Sequence, residues 1–199
     1  MTIPARRVGV FGGAFDPPHV AHVALARAAV EQLRLDELRV FPTGQAWHKP
    51  NALSPAEHRL AMARIAFDGL PQTVIDEREL RRPGATYTID TLRELAAEMP
   101  GAQLFLVMGE DQAVSLTRWH EWRAILAMTT VCMASRAADP NSGPRLLPVE
   151  AELRLLRLPE MPESATQVRD RVAAEEGIAH LVPPGVARYI DQHSLYQPA

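Results

Sequence analysis

The sequence has one cysteine, one lysine and no long apolar run among its 199 residues. Cys132 therefore cannot form a disulfide within the chain or build a thiolate metal cage, and its apolar neighbours indicate a buried, inert thiol. A membrane-spanning helix needs about 18 consecutive apolar residues and a signal peptide needs a shorter apolar core, but the sequence has neither. These absences predict a cytoplasmic protein that folds without disulfides.

Three catalytic signatures are also missing. The only lysine, Lys49, is followed by Pro50, whereas a phosphate-binding P-loop requires Gly-Lys followed by serine or threonine. The G-x-S-x-G elbow of serine hydrolases does not occur. The glycines after the first apolar run stand at 9, 12 and 13, which is not the G-x-G-x-x-G spacing of dinucleotide-dependent oxidoreductases. These three classes of enzyme are therefore excluded.

The charge balance is close to neutral, with 21 basic and 24 acidic residues. A net charge of −3 weighs against a dedicated nucleic-acid binder or a membrane-surface protein, so neither partner is expected. The length is that of one domain, and 47% hydrophobic residues suffice for an ordinary core. We expect residues 1–199 to form a single domain, whose oligomeric state the sequence leaves open.

Short apolar segments alternate with segments of helical periodicity, which predicts an α/β fold on a doubly wound, mainly parallel sheet. The first and fourth strands are nearly continuous apolar runs that end in glycine, as in buried parallel strands. The predicted strands are 7–11, 38–41, 73–75, 104–108, 130–134 and 155–158. The predicted helices are 19–33, 55–67, 88–99, 121–127, 165–175 and 185–192, and the predicted loops are 42–54 and 137–148.

Three helix starts carry capping signals. Ser54 stands three residues before Glu57, and Ser164 stands three residues before Gln167, which is the spacing of a capping box. Asp16 is also a good N-cap for the first helix, and capping alone could explain its presence. The helix over 88–99 has an apolar stripe that we expect to be buried, formed by Ile89, Leu92, Leu95, Ala96 and Met99.

The segment from Val8 to His22 carries the strongest functional signal. A buried strand leads into Gly12 and Gly13, then a turn, then a helix whose free N–H groups and positive dipole end favour an anion. His19 and His22 stand three residues apart at the start of this helix, above the sheet edge where open α/β sheets bind their ligands. The segment therefore predicts a phosphate site at which two imidazoles meet.

The same pair of histidines could in principle hold a metal ion. Catalytic zinc requires a third protein ligand, which the sequence does not supply convincingly. We therefore predict no metal site formed by the protein itself.

Gly12 to His22 resembles the signature G-G-x-F-D-P-x-H-x-G-H of the nucleotidyltransferase superfamily, with Ala21 where glycine is usual. The resemblance implies a Rossmann-like nucleotidyltransferase fold and an ATP site at this turn. The residues that it places against ATP are Gly12, Gly13, Phe15, Asp16, His19 and His22.

Residues 164–169 resemble the S-x-T-x-x-R motif of the same superfamily, which binds the phosphates of ATP. Ser164 and Thr166 would offer hydroxyl and N–H groups, and Arg169 would clamp the polyphosphate with charge-assisted hydrogen bonds. Ser164 could equally be a simple helix cap. Arg169 lies in the second helical turn, where the helix dipole does not require a cation, so ligand binding explains it better.

Nearly the whole chain resembles bacterial nicotinate-nucleotide adenylyltransferases. The resemblance implies that Gly109 contacts ATP. It is carried by short pieces in a matching order, namely His48-Lys49-Pro50, 76–80, 86–88, 109–111, 119–122 and 189–192.

The same resemblance implies a site for nicotinate mononucleotide. Thr88, Asp111 and Trp119 would hold this substrate, with Trp119 stacked on the pyridine ring and N–H groups near His120 on the carboxylate. From the residues alone, Thr88 and Asp111 could be helix caps. Trp119 could likewise pair with Trp122 in the core.

The implied reaction joins nicotinate mononucleotide to the α-phosphate of ATP and releases pyrophosphate. The attacking phosphate oxygen is already anionic, so catalysis reduces to positioning and to neutralising charge on the leaving group. The catalytic candidates are a protonated His22, His19, Arg169 and Lys49, with Mg²⁺ carried on the ATP phosphates. Lys49 could also be an ordinary surface lysine.

Two alternatives stay open at this point. The same chemistry could use nicotinamide mononucleotide or phosphopantetheine as acceptor, because the acceptor pocket is poorly defined by sequence. A nucleotide-binding regulator could also keep the fold without turnover.

Overall fold

The computed structural model describes residues 4–44, 53–136 and 151–198, without the side chains of residues 135 and 136. The predicted loop 137–148 lies outside the described residues. Residues 45–52 of the predicted loop 42–54, with Lys49 among them, also lie outside.

The sheet has the topology that the sequence predicts. Its strands are β1 (Arg7–Gly13), β2 (Glu37–Pro42), β3 (Thr73–Ile75), β4 (Gln103–Met108), β5 (Thr129–Arg136) and β6 (Leu153–Leu158). They lie in the order β3-β2-β1-β4-β5-β6, and every neighbouring pair is parallel. This is the strand order of a Rossmann-like, doubly wound fold, so the predicted fold class is confirmed.

Eight α-helices connect or flank these strands in the described part of the chain. They are α1 (Val20–Leu33), α2 (Ala56–Phe67), α3 (Arg78–Arg81), α4 (Thr88–Glu98), α5 (Glu110–Ser115), α6 (Trp122–Met128), α7 (Ala165–Ala173) and α8 (Pro184–Gln192). Helices α3 and α5, and the 3₁₀ turn Leu116–Arg118, were not predicted because elements this short have no readable periodicity. None of the helices in the described ranges is long and apolar enough to cross a membrane.

The two central strands are buried on both faces. On β1, Phe11 packs with the helices α1 and α2, whereas Val10 packs with α4 on the opposite face. On β4, Val107 lies on the same face as Phe11, and Leu106 lies on the same face as Val10. Because successive side chains of a strand point to opposite faces, a strand covered on both sides reads as one apolar run. This is why both strands were recognisable in the sequence.

Two of the three predicted caps are wrong. The N-cap of α1 is His19, because two prolines follow Asp16 and the helix begins only after them, at Val20. The N-cap of α2 is Pro55 rather than Ser54, and no side chain caps that helix. The third cap is confirmed, since the Ser164 hydroxyl accepts a hydrogen bond from the Gln167 N–H at 3.2 Å.

Two further predictions concern burial. Cys132 is fully buried, and burial raises the pKa of its thiol to about 12, so the prediction of an inert thiol is confirmed. In α4, Ile89, Leu92 and Leu95 are buried, but Ala96 is exposed, so its place in the apolar stripe was wrong. An alanine at the edge of a stripe gives little indication of which side it faces.

The contrast between Leu92 and Ala96 predicts a stability difference. Leu92→Ala should lower the free energy of unfolding by about 2–5 kcal/mol, because it leaves a cavity in the core. Ala96→Ser, on the same helix, should change it by less than about 0.5 kcal/mol. Urea unfolding followed by circular dichroism measures both, and equal effects would contradict the observed packing of α4.

Candidate active site

A cavity of about 700 Å³ opens at the carboxyl ends of β1 and β4. Open α/β sheets bind ligands at this edge, where the strand order reverses. The cavity is lined by all ten residues that the sequence analysis assigned to ATP, which are Gly12, Gly13, Phe15, Asp16, His19, His22, Gly109, Ser164, Thr166 and Arg169. Ala21, at the position where the superfamily signature has glycine, also lines it.

The structure explains in different ways why glycine occupies positions 12 and 13 at the end of β1. A Cβ on Gly12 would meet no atom within 4 Å, so this position leaves open space beside the backbone. A Cβ on Gly13 would come within 2.8 Å of the Phe15 ring, so glycine is needed there for packing. Phe15 has a φ of 50° and its ring is buried among Phe11 and Phe67, with which it makes edge contacts. Both glycines line the larger cavity, and Gly13 has a packing requirement for glycine in addition.

The two histidines lie side by side at the N-terminus of α1. Their ring centroids are 3.7 Å apart, and the backbone N–H of His19 donates to Nδ1 of His22 at 3.2 Å. An Nδ1 that accepts a hydrogen bond belongs to a neutral ring whose proton is on Nε2. This geometry leaves Nε2 as the hydrogen-bond donor that His22 offers, and a protonated His22 beside bound nucleotide stays a prediction.

His19 is 7% exposed, and burial lowers the pKa of its imidazole to about 4. The ring is therefore uncharged at neutral pH. Its Nδ1 is buried without a hydrogen-bond partner among the described residues. A buried polar atom without a partner costs free energy, which a ligand in the cavity would recover.

Arg169 joins the two motifs that the sequence separates by more than 140 residues. Its Nη1 donates to the carbonyl oxygen of Asp16 at 2.7 Å, and its Nη2 donates to the Thr166 hydroxyl at 3.2 Å. The structure thus brings Arg169, His19 and His22 to one cavity, as expected if both motifs bind the same triphosphate.

A second, smaller pocket of about 70 Å³ adjoins the first. Thr88, Trp119 and His120 line this pocket, and Gly12, Gly13, Ala14 and Gln112 line both. The two spaces therefore meet at the end of β1. Asp111 lies on the larger cavity instead of the smaller pocket.

The alternative explanations for the residues near the smaller pocket fail. The N-cap of α4 is Tyr87 and that of α5 is Gly109, so neither Thr88 nor Asp111 is a cap. Trp119 packs against the core beside the pocket and donates from Nε1 to the Ser115 hydroxyl at 3.4 Å. Trp122 is not part of either core cluster, so the two tryptophans do not form a core pair.

Comparison with known proteins identifies the family. The family model described as cytidylyltransferase-like matches residues 10–171. A probable nicotinate-nucleotide adenylyltransferase of Albidiferax ferrireducens is 53% identical over 197 residues, covering 98% of this chain and all of that protein. One of Methylibium petroleiphilum is 44% identical, covering 98% of this chain and 94% of that protein. This chain belongs to the nicotinate-nucleotide adenylyltransferase family. The family resemblance read from the sequence is therefore confirmed.

Solved structures agree on the fold of this family member. The nicotinic acid mononucleotide adenylyltransferase of Plasmodium falciparum, complexed with NaAD, aligns with a TM-score of 0.79 at 20% identity. The alignment covers 96% of this chain and 97% of the other. The same Plasmodium enzyme complexed with APC aligns with a TM-score of 0.77 at 19% identity.

The sequence analysis missed a buried arginine that supports the rim of the larger cavity in this adenylyltransferase family member. Arg59 on α2 is 3% exposed, and burial lowers the pKa of its guanidinium. Its Nε donates to the carbonyl oxygen of Ser54 at 3.0 Å, and its Nη1 donates to those of Ala14 at 3.0 Å and Thr43 at 2.7 Å. One side chain thus joins the ends of β1 and β2 to α2. Among 20 arginines, no spacing in the sequence distinguishes it.

Substitution of Arg59 tests this role. Arg59→Leu should lower the free energy of unfolding by about 3 kcal/mol, because it leaves buried carbonyl groups without donors. Arg64→Leu is the matched control, because Arg64 lies on the same helix with a side chain that is 58% exposed. Denaturant unfolding compares the two, and equal losses would contradict the role given to Arg59.

A buried carboxyl was also missed, although it lines the smaller pocket. Glu79 on α3 is 6% exposed and accepts a hydrogen bond from the Thr91 hydroxyl at 2.8 Å. Burial raises the pKa of Glu79 to about 7. Nearby, the Thr86 hydroxyl oxygen is buried without a partner among the described residues. Segment 76–80 had been matched only as a piece of the family pattern, and its four-residue helix gave no sign of burial.

The raised pKa of Glu79 predicts a pH dependence of stability. The folded state retains this proton over the range in which the unfolded state, with a pKa near 4.5, has lost it. The contribution of Glu79 to the free energy of unfolding therefore falls as pH rises from about 4.5 through 7. Glu79→Gln should flatten this decline between pH 5 and 7.5 in thermal unfolding. The exposed Glu31→Gln variant should keep the wild-type profile, and an unchanged profile for Glu79→Gln would overturn the assignment.

Proposed function

We propose that this chain transfers the adenylyl group of ATP to nicotinate mononucleotide, giving nicotinate adenine dinucleotide and pyrophosphate. One observation carries the proposal: His19, His22 and Arg169 surround a single large cavity that adjoins a second pocket at the end of β1. Two substrates bound in adjoining spaces can bring their phosphates together, as a group transfer requires. The names of the curated relatives support the choice of substrates.

The reaction needs little covalent help from the protein. A phosphate oxygen of nicotinate mononucleotide attacks the α-phosphorus of ATP, and the bond from that phosphorus to the oxygen bridging the α- and β-phosphates breaks. The electron pair of that bond leaves with pyrophosphate. Because the attacking oxygen is already anionic, no general base is required, and the protein lowers the barrier by alignment and by stabilising the leaving charge.

In this proposal the larger cavity binds ATP. His22 donates from Nε2 to a phosphate oxygen, and Arg169 supplies a fixed positive charge for the pyrophosphate. His19 contacts the same phosphates, and its neutral ring with the proton on Nδ1 would donate to one of their oxygens. Ser164 and Thr166 lie at the start of α7, where free N–H groups favour an anion.

The remaining assigned residues of the ATP cavity are mainly backbone contacts and packing. Gly12, Gly13 and Gly109 allow the nucleotide to approach the backbone closely. Phe15 shapes the wall beside His22, since their ring centroids are 5.2 Å apart. Asp16 is proposed to hold the shape of the turn and not to bind ATP with its carboxylate, because both carboxylate oxygens already accept hydrogen bonds from protein groups.

The smaller pocket is proposed to receive the pyridine ring of nicotinate mononucleotide. Trp119 offers an aromatic face for stacking, Thr88 a hydroxyl, and the backbone near His120 its N–H groups for the carboxylate. Asp111, on the neighbouring cavity, would accept a hydrogen bond from a ribose hydroxyl. Lys49 stays a prediction, as a cation that would reach the phosphates.

The magnesium ion is proposed to arrive with ATP. Mg²⁺ retains several waters and takes one or two carboxylates together with substrate phosphates, so it needs no cage of protein ligands. Among residues 4–44, 53–136 and 151–198, no three His, Cys, Asp or Glu side chains form a group that could hold a metal. The proposed location of the reaction is the cytoplasm.

An acceptor assay tests the proposed function. The enzyme is given MgATP with nicotinate mononucleotide, nicotinamide mononucleotide or phosphopantetheine, and pyrophosphate release is measured. The highest kcat/KM is expected with nicotinate mononucleotide. Preference for either other acceptor, or ATP binding without pyrophosphate release, would contradict the proposal.

The role of His22 gives a second test. His22→Ala should lower kcat by about 10²-fold or more, because it removes a donor to charge that develops in the transition state. His180→Ala replaces an exposed histidine and should leave kcat unchanged. A folded His22→Ala variant with wild-type kcat would remove His22 from the mechanism.

A further inference from the structure

The segment that follows α8 returns to the nucleotide cavity. Tyr196 lies in this segment, lines the cavity and packs against the core beside α1 and α2. Its hydroxyl donates to Oδ1 of Asp16 at 2.7 Å, across a separation of 180 residues. Nothing in the sequence analysis, nor in the chemistry proposed above, uses Tyr196.

Asp16 is the point at which remote segments meet. It is 5% exposed. Its Oδ2 accepts a hydrogen bond from the Ser54 N–H at 3.0 Å, and its carbonyl oxygen accepts one from Arg169 Nη1 at 2.7 Å. With Tyr196 on Oδ1, the carboxylate is held from two sides while the backbone of the same residue orients the guanidinium that faces the cavity.

The Tyr196 hydroxyl can therefore affect the position of Arg169 in the cavity through Asp16. A buried carboxylate that loses one of its hydrogen-bond donors either stays buried without that hydrogen bond, which costs free energy, or moves toward a new donor. Once the carboxylate is no longer held, the backbone of the turn can shift, and this shift would displace the Asp16 carbonyl oxygen that accepts the hydrogen bond from Arg169. Burial and the Asp16 carboxylate both raise the pKa of Tyr196, so its hydroxyl keeps the proton that it donates.

We propose that Tyr196 is a positioning residue for the triphosphate site: by holding the Asp16 carboxylate, it fixes the turn whose carbonyl oxygen orients Arg169. The residue acts through Asp16 and does not itself touch the reacting atoms. The proposal deepens the proposed function and rests on it for the identity of the nucleotide. It predicts a defect in ATP binding that exceeds any defect in acceptor binding.

The test compares two tyrosines that each lose only a hydroxyl. Tyr196→Phe should raise the Kd for MgATP, measured by calorimetry without acceptor, by about tenfold or more, which is the scale of one hydrogen bond to a charged group. The KM for nicotinate mononucleotide should change less than about twofold. Tyr189→Phe is the matched control, because the Tyr189 hydroxyl lies 3.0 Å from His58 Nδ1 and Tyr189 lines neither cavity. This control should leave both constants unchanged.

A double-mutant cycle separates positioning from general packing. In an Asp16→Ala background, the Tyr196→Phe change should weaken ATP binding by less than about twofold, because the acceptor of the Tyr196 hydroxyl is gone. A full tenfold loss in that background would overturn the proposal, as would wild-type ATP affinity in the single variant or equal losses for ATP and acceptor. If Tyr196→Phe does not fold, Tyr196→His, which keeps a donor, should restore folding and part of the ATP affinity, and failure to do so would also count against it.

The two proposals fail differently. If the wild-type protein binds ATP but does not adenylylate nicotinate mononucleotide, the proposed function is wrong. The role of Tyr196 is then still tested by the ATP affinity of the Tyr196→Phe variant. If turnover is normal and Tyr196→Phe binds ATP normally, only the inference falls. If the wild-type protein does not bind ATP, both fall.

Discussion

The hydrogen bond from Arg169 to the carbonyl oxygen of Asp16 is the interaction on which the arrangement of the large cavity depends. It connects the turn after β1 to the start of α7, two parts of the chain that meet only because of the order of strands in the sheet. Without it, the cavity would have imidazoles on one wall and no fixed cation on the other. Two further hydrogen bonds hold the same turn, from Arg59 to the carbonyl oxygen of Ala14 and from Tyr196 to the carboxylate of Asp16.

A site built in this way suits a reaction between two phosphates. In the proposed reaction neither substrate needs a proton removed, so donors fixed around the leaving group would suffice and an acid–base pair would not be required. His22 accepts a hydrogen bond at Nδ1 from the backbone N–H of His19, which leaves the proton on Nε2. The backbone of the turn thus determines which hydrogen-bonding group the ring offers to the cavity.

Much of this was readable from the sequence because the signals were local. Strands buried on both faces leave continuous apolar runs, and the glycines, histidines and arginine of the two motifs stand in compact patterns. The tertiary partners were not readable. Arg59, Glu79 and Tyr196 act through contacts with residues of other segments, and nothing in the sequence around each of them indicates these partners. Asp16 was ambiguous for the same reason, since a carboxylate before proline has the pattern of a cap whatever it contacts.

The central claim is that His22 and Arg169 bind one triphosphate. A crystal structure of the protein with an ATP analogue that cannot be cleaved at the α-phosphate tests it most directly. The account predicts phosphate oxygens within hydrogen-bonding distance of both His22 Nε2 and the Arg169 guanidinium in the same nucleotide. A nucleotide bound outside the large cavity, or one that contacts only one of these two side chains, would contradict it.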